Sequence, residues 1–152
     1  MSYEKPIREF LSCKRLAIAG VSQTPGDFSR VVFREFLARG YDVVPVNPAA
    51  ESIEGCQCFR LVSEIQPPVD AVLVMTPPGV TESVVRDCAG AGVSRVWLFR
   101  GGGKGSVSEA AVRFCQEHGI SVVPGECPLM FLEGAGFIHR VHKWFRHGWA
   151  AA

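Results

Sequence analysis

The hydrophobic pattern of this chain alternates between two periods. Short, nearly continuous apolar runs are typical of strands buried on both faces of a parallel sheet. Between them lie segments whose apolar residues recur every three or four positions, as in amphipathic helices. The predicted strands cover residues 16–21, 42–46, 69–75, 95–99 and 120–123, with a brief further strand around Cys58-Phe59. The predicted helices cover residues 3–13, 29–39, 80–89 and 106–118.

Strands that alternate with helical segments predict an α/β fold, a doubly wound parallel sheet of Rossmann-like type. We expect about six strands in the order 3-2-1-4-5-6 within three α/β/α layers, because right-handed crossovers leave few other topologies. Residues 1–152 are expected to form one domain, with a C-terminal amphipathic helix at about 136–147. A ligand of such a sheet binds where the winding reverses, outside the carboxyl ends of the strands. The loops at that point are residues 21–29 and 76–79.

The composition is that of an ordinary globular protein, with 47% hydrophobic residues, 20% charged residues and a formal net charge of +1. It excludes a disordered chain and a nucleic-acid-coating protein. The sequence shows no signal-peptide pattern and no long apolar span, so we expect a cytoplasmic protein without a membrane partner. Six cysteines at irregular spacings favour reduced thiols over a disulfide framework.

Gly20 ends the first apolar run, and the residues after it match only part of the dinucleotide-binding fingerprint. The pattern G-x-G-x-x-G requires glycines where this chain has Ser22 and Pro25. It also requires an acidic residue after the second strand, where Asn47 stands. Binding of NAD is therefore disfavoured, and an NAD(P)-dependent oxidoreductase or redox sensor stays open as an alternative. The Ser22 and Ser29 hydroxyl groups, the backbone donors around Gly26 and the nearby Arg30 suit a pyrophosphate.

The sequence contains a further set of motifs: Gly20-Val21-Ser22, Pro25, Ser29-Arg30, Gly40-Tyr41, Val43-x-Pro45-Val46-Asn47-Pro48, Pro77-Pro78, Trp97 and Cys127-Pro128. Together these motifs resemble the CoA-binding protein family of Rossmann type, which is similar to the CoA-binding domains of the succinyl-CoA synthetase α subunit and of ADP-forming acyl-CoA synthetases. The resemblance implies coenzyme A or an acyl-CoA as the cofactor. It implies that the first loop holds the phosphates and that residues 46–48 border the nucleotide. Residues 76–79 would contact the adenine or the pantetheine arm.

The predicted binding site lies in these three loops. Its residues are Gly20, Val21, Ser22, Pro25, Ser29, Arg30, Val46, Asn47, Pro48, Thr76, Pro77 and Pro78. For some of them a purely structural role is the alternative. Serine is a common helix cap, an arginine in a first helical turn is often only solvated, and Asn-Pro is common in turns. We expect no catalytic residue and no metal ligand in the chain.

Two further motifs lie near the expected cleft. Residues 101–106 are rich in glycine but lack the Walker A order, because Gly105 stands where a hydroxyl residue must follow Lys104. We expect a mobile loop there, with Lys104 within reach of a phosphate. Cys127 is expected to be a buried structural cysteine, and the alternative is a reactive thiol that forms a mixed disulfide with CoA.

Metal binding is disfavoured, and the C-terminal segment has an amphipathic pattern. Cys56-x-Cys58 lacks the second pair of a zinc site, and His139 and His142 lack a third ligand. The apolar residues between positions 131 and 149 recur at helical spacing with basic residues between them. Packing against the protein's own core is expected for this helix, with a homodimer contact and a membrane surface as the alternatives.

Together these features predict a cytoplasmic protein that holds CoA or acyl-CoA and is non-catalytic alone, since no acid–base or nucleophile–base pair can be drawn. A further alternative is an accessory subunit of an ADP-forming acyl-CoA synthetase. The resemblance implies that such enzymes need a second domain with a phosphorylated histidine, which is not expected within these 152 residues. The expected partners are the CoA ligand and either a second copy or a synthetase-type subunit, with no nucleic acid.

Overall fold

A computed structural model describes residues 3–101, 103 and 105–132 of the chain. Within them the strands are β1 (Arg15–Ala19), β2 (Asp42–Val46), β3 (Ser52–Ile53), β4 (Cys56–Gln57), β5 (Ala71–Val74), β6 (Arg95–Leu98) and β7 (Ser121–Pro124). The helices are α1 (Glu4–Ser12), α2 (Phe28–Ala38), α3 (Pro78–Gly90) and α4 (Glu109–Glu117), and short 3₁₀ turns lie at Val62–Glu64 and Pro128–Met130. None of these described helices has the length and apolar character needed to cross a membrane. The helix predicted at about 136–147 lies outside the described residues.

Five of the strands form one parallel sheet in the order β2-β1-β5-β6-β7. The central strand β1 pairs on both sides, with Ala17 opposite Val44 of β2 and Val72 of β5. The chain winds in one direction from β1 to β2 and in the other from β5 to β7. The predicted doubly wound Rossmann-like fold is therefore confirmed, with the switch point between β1 and β5.

The brief third strand predicted around Cys58-Phe59 consists of a single bridge. Phe59 makes one parallel bridge to Val46 on the outer side of β2, and its N–H donates to the Pro45 carbonyl at 3.0 Å. Pro45 has no N–H with which to continue a ladder on that edge. The residues before Phe59 instead form a hairpin of β3 and β4, whose turn holds Glu54 at φ 54° and Gly55 at φ 78°. The predicted strand order holds, with its outermost member reduced to one bridge.

Helices cover both faces of the sheet, so the core has two halves. Ile18 lies in the half under α1 and α2, whereas its neighbour Ala17 lies in the half under α3 and α4. This alternation follows from successive side chains of a strand pointing to opposite faces. In the first half the fully buried Trp97 meets Phe10 of α1 edge to face, with 5.4 Å between ring centroids. The structure therefore has the three predicted layers.

Two helices start close to the switch point because each follows directly from a central strand. Helix α2 begins at Phe28, one residue before the predicted start, and α3 begins at Pro78, two residues before. Both helices run back from the carboxyl ends of the parallel strands, so their N-termini lie at that edge of the sheet. The positive ends of two helix dipoles therefore flank the position expected for a ligand.

Candidate functional site

The three predicted loops meet at Gly20. This residue has a φ of +97°, in the left-handed region that favours glycine, and its N–H donates to the Val46 carbonyl at 3.0 Å. A Cβ at this position would lie 2.7 Å from the carbonyl oxygen of Met75. The chain leaving β1 is therefore in backbone contact with the ends of β2 and β5. This brings the first loop (residues 20–27) together with residues 46–48 and 76–78.

Asn47 fixes the second of these loops to the first. Its side-chain amide donates to the Val21 carbonyl at 2.8 Å, and its side-chain oxygen accepts from the Ala49 N–H at 2.7 Å. Both ends of the amide are thus engaged by backbone. Of its neighbours, Val46 is buried and Pro48 is exposed. Asn47 joins the loops, and Pro48 presents its side chain outward.

The two predicted serines shape the first loop from within. Ser29 is 3% exposed, accepts from the Ser22 N–H at 2.9 Å and donates to Asp27 Oδ1 at 2.8 Å. The Ser22 hydroxyl accepts from the Thr24 N–H at 3.0 Å. Helix α2 is capped by Asp27, which accepts from the Ser29 N–H at 2.9 Å. The sequence prediction missed Asp27, although an aspartate directly before a helical apolar pattern is an ordinary cap signal.

Arg30 lies beneath the first loop with its side chain only 10% exposed. Its Nη1 donates to the carbonyls of Ser22 and Gln23 at 3.2 and 3.1 Å. Its Nε donates to Glu54 Oε2 at 3.0 Å, and its Nη2 donates to the same oxygen. Arg30 is therefore not the solvated side chain of the structural alternative, because it binds the loop and the β3–β4 hairpin together.

Glu54 and Arg34 complete this cluster, and the sequence prediction named neither. Arg34 donates from Nε to Glu54 Oε2 at 3.0 Å and from Nη2 to the Pro25 carbonyl at 2.5 Å. The guanidinium groups of Arg30 and Arg34 hold the pKa of Glu54 below its ordinary value, with the hydrogen bond from Arg30 as the largest cause. The available signal was the i, i+4 spacing of the two arginines, which places them on one helix face.

Thr76, Pro77 and Pro78 lie opposite the first loop, and we call these three residues the proline wall. The Thr76 hydroxyl lies 2.9 Å from the hydroxyl of Thr81, whose side chain is fully buried. Pro77 is the N-cap residue of α3 and Pro78 its first residue, and no side chain caps this helix. Pro77 is exposed, and Val80 just beyond it is 46% exposed. Since proline fixes φ, this wall is a stiff and largely apolar edge beside the polar first loop.

Cys127, near the carboxyl end of β7, is 3% exposed. Burial raises the pKa of its thiol to about 12. The thiolate is the reactive form of cysteine, so this residue remains a thiol at neutral pH. The structure supports the structural interpretation of Cys127 over mixed-disulfide formation. Lys104, which was expected to reach a phosphate, lies outside the described part of the chain.

A groove of about 800 Å³ lies elsewhere in the molecule. Helix α1, Lys14 and Tyr41 contribute to its lining. Lys14 precedes β1 and Tyr41 precedes β2, so these residues mark the amino ends of the strands. The groove and the loop junction at the carboxyl ends are therefore separate regions of the protein.

Comparison with known proteins gives a consistent assignment. Residues 14–133 match the family described as "CoA binding domain". The chain is 30% identical over 126 residues to the uncharacterized protein YneT of Bacillus subtilis (strain 168), and the match covers 80% of this chain and 87% of that protein. A solved structure of a hypothetical protein from Pyrococcus horikoshii OT3 superposes with a TM-score of 0.78 at 26% identity, and 93% of each chain is covered.

Enzymes are also among the relatives. The chain is 25% identical over 126 residues to subunit alpha of the ADP-forming acetate–CoA ligase II of Pyrococcus furiosus, a match that covers 78% of this chain and 27% of that subunit. The likeness therefore concerns about a quarter of the ligase subunit. The family match contains all three loops that meet at Gly20, and the fold has the expected switch point. The chain belongs to the CoA binding domain family.

Proposed function

We propose that the protein binds coenzyme A or an acyl-CoA at the carboxyl ends of β1, β2 and β5, and that it holds this ligand without catalysing a reaction alone. The observation that carries the proposal is the junction at Gly20, where three loops of a CoA binding domain family member are in backbone contact. Sheets of this kind bind their ligands in the crevice at the switch point.

The first loop suits the phosphate groups of the ligand. Helix α2 is eleven residues long, and the positive end of its dipole lies at this loop. The N–H of Gly26 donates to no acceptor among the described residues. A Cβ at Gly26 would have no atom within 4 Å, so the loop is open on that side. These features support phosphate binding by backbone donors.

The rest of the junction suits the less polar parts of CoA. Pro48, Pro77 and Val80 are exposed beside the polar loop. An apolar side chain in such a place offers contact area to a ring or an alkyl chain, which reduces the apolar surface exposed to water. A ligand with charged phosphates at one end and a long pantetheine arm matches this pairing of surfaces.

The NAD(P)-dependent alternative has less support from the same loops. An acidic residue after the second strand normally binds the ribose 2′-OH of NAD, but Asn47 stands there and its amide is engaged by the Val21 and Ala49 backbone. Ser22 occupies the place of the glycine that lets the backbone approach the pyrophosphate. We therefore rank CoA before NAD or NADP.

The described carboxylates near the first loop are already engaged, which supports a holding role. Asp27 accepts from both the backbone and the hydroxyl of Ser29. Glu54 is shared by Arg30 and Arg34. A general base must be within hydrogen-bond reach of the proton that it removes, and these groups are directed at the loop itself.

A second candidate function is that of an accessory subunit of an ADP-forming acyl-CoA synthetase. The similarity to a quarter of a ligase alpha subunit favours it. A partner chain would then have to supply the remaining parts of the enzyme. This function predicts that the purified chain forms no acyl-CoA from a carboxylic acid, CoA and ATP, and gains that activity with the partner present.

The proposal is tested by native mass spectrometry of the purified protein, followed by calorimetry with CoA, acetyl-CoA, NAD and NADP. We expect saturable binding of CoA and acetyl-CoA. Binding of NAD or NADP with no detectable binding of either CoA compound would overturn the proposal.

A further inference from the structure

Two arginines on one face of α2 hold the first loop by its carbonyl groups. Arg30 Nη1 lies 3.2 Å from the Ser22 oxygen and 3.1 Å from the Gln23 oxygen. Arg34 Nη2 lies 2.5 Å from the Pro25 oxygen. Because Arg30 is buried, the carbonyls that it binds are turned toward the interior of the protein.

The direction of these carbonyls sets the direction of the amide groups. In a planar trans peptide the N–H of the following residue points away from the carbonyl. The N–H groups of Gln23, Thr24 and Gly26 are therefore turned outward, away from the two arginines. The Thr24 N–H is taken by the Ser22 hydroxyl, whereas those of Gln23 and Gly26 meet no acceptor within the described residues. Outward backbone donors in a turn form a concave anion-binding surface.

Glu54 keeps both guanidinium groups in place. Its carboxylate accepts from Arg30 Nε and Arg34 Nε, each at 3.0 Å, and from Arg30 Nη2. Glu54 lies in the turn of the β3–β4 hairpin, and its side chain is 25% exposed. Without this carboxylate the two neighbouring cations repel each other, and the more exposed Arg34 is free to turn toward solvent. The carbonyl groups of the first loop then lose their anchor.

We propose that Glu54 is a positioning residue for the phosphates of the ligand, acting through Arg30 and Arg34 on the outward amides of Gln23 and Gly26. This inference rests on the proposed function and goes beyond it. The sequence predicts that the Ser22 and Ser29 hydroxyl groups, backbone donors and Arg30 together suit a pyrophosphate, and the inference restricts the phosphate contact to backbone amides of the first loop. The Arg30 guanidinium already donates hydrogen bonds to two carbonyls and a carboxylate. Its role is therefore to orient the loop.

The rival arrangement predicts the opposite sign. If Arg30 bound the phosphate directly, Glu54 would be a competing anion, and its removal would strengthen binding of the ligand. If Glu54 positions the loop, its removal weakens binding. The variant Glu54→Gln keeps the size of the side chain and removes the charge, so it separates the two arrangements.

We test this by calorimetry with CoA on the wild type and on Glu54→Gln. We expect CoA to bind about tenfold more weakly to Glu54→Gln, as for loss of a charged hydrogen-bond network. The matched control is Glu9→Gln, which removes the carboxylate of an exposed pair with Lys5, 3.9 Å apart on α1, and should leave CoA binding unchanged. Equal or tighter binding by Glu54→Gln would overturn the proposal.

A second readout uses inorganic pyrophosphate as the probe, so it does not depend on CoA being the ligand. In ¹⁵N-labelled wild-type protein the amide resonances of Gln23 and Gly26 should shift on titration with pyrophosphate, and in Glu54→Gln these shifts should be strongly reduced. A wild type in which neither amide responds would overturn the inference. A wild type that responds to pyrophosphate but binds no CoA would overturn the proposed function alone.

A second variant covers the case in which Glu54→Gln does not fold. Arg34→Gln keeps Glu54 and Arg30 but removes the contact to the Pro25 carbonyl. Since Arg34 is 43% exposed, its replacement should be tolerated by the fold. We expect a smaller loss of CoA affinity, with the reduced pyrophosphate shift concentrated at Gly26, the residue after Pro25. Unchanged shifts at Gly26 would contradict the role assigned to Arg34.

Discussion

The N-termini of α2 and α3 face the same crevice, yet they are built from different chemistry. The first loop, before α2, is held by side chains: Asp27 caps the helix, and Arg30 and Arg34 donate to the loop carbonyls. Helix α3 has no side-chain cap, and its N-terminus is formed by Pro77-Pro78. A polar loop whose amides are oriented suits charged oxygens, whereas a proline wall offers a rigid apolar surface. The two regions thus offer complementary surfaces to the amphipathic ligand that we propose.

The junction between these two regions depends on Gly20, and its replacement should have the largest effect. In Gly20→Ala the new Cβ lies 2.7 Å from the Met75 carbonyl oxygen, at a φ of +97° that alanine rarely adopts. Left-handed strain and overpacking together should lower the free energy of unfolding by about 3 kcal/mol. Urea unfolding measures this loss. The control is Gly26→Ala, where no atom lies within 4 Å of the added Cβ. An equal loss of stability in both variants would contradict the close backbone contact between Gly20 and Met75.

The cap on α2 is the next largest contributor on the polar side. Asp27→Ala removes the acceptor of the Ser29 N–H and of its hydroxyl, which should cost about 1–2 kcal/mol of stability and weaken CoA binding. Ser108→Ala is the matched control, because Ser108 caps α4 through the Ala111 N–H. It should lower stability by a similar amount and leave calorimetric CoA binding unchanged. If both variants lose CoA affinity equally, the effect is one of general stability.

The difference between the two walls also shows what the sequence could predict. The strands were predicted because continuous apolar runs report burial directly, and the switch-point rule then placed Gly20 and Thr76 at one edge. The brief third strand predicted around Cys58-Phe59 is present only as one bridge, since Pro45 lacks the donor that a longer ladder needs. Sequence patterns of short range could not pair Glu54 with Arg30, because the two residues are 24 positions apart and the hairpin that joins them has no periodic signal.

The variant Pro77→Ala tests the proline wall, and its expected effect is smaller than that of Asp27→Ala. Pro77 has a φ of −57°, which proline adopts without strain, so its loss should lower stability by about 0.4–1 kcal/mol through the entropy of the unfolded chain. CoA should bind up to about threefold more weakly, while the pyrophosphate response of the first loop stays unchanged. Pro6→Ala, at the start of α1, is the control. A loss of the pyrophosphate-induced shifts in Pro77→Ala would show that the first loop and the proline wall do not act separately.

The smallest expected effect is that of low pH. It should weaken the first loop and leave residues 76–78 unaffected, because only the first loop depends on a carboxylate. Arg30 and Arg34 hold the pKa of Glu54 below its ordinary value of 4.5. The stabilisation from ionised Glu54 is therefore complete above about pH 4.5 and is lost as the pH falls through the lower folded-state pKa. Residues 76–79 contain no ionisable side chain, so the proline wall has no such dependence.

The measurement is urea unfolding of the wild type and Glu54→Gln across this range. The difference in free energy of unfolding between them should be constant from neutral pH to about 5 and shrink below it, because protonated Glu54 and glutamine are both uncharged. Over the same range the amide resonance of Gly26 should move in the wild type more than that of Thr76. A gap between the two proteins that stays constant to low pH would mean that the charge of Glu54 does not hold the first loop. The conformation of that loop would then depend on Asp27 and the backbone alone.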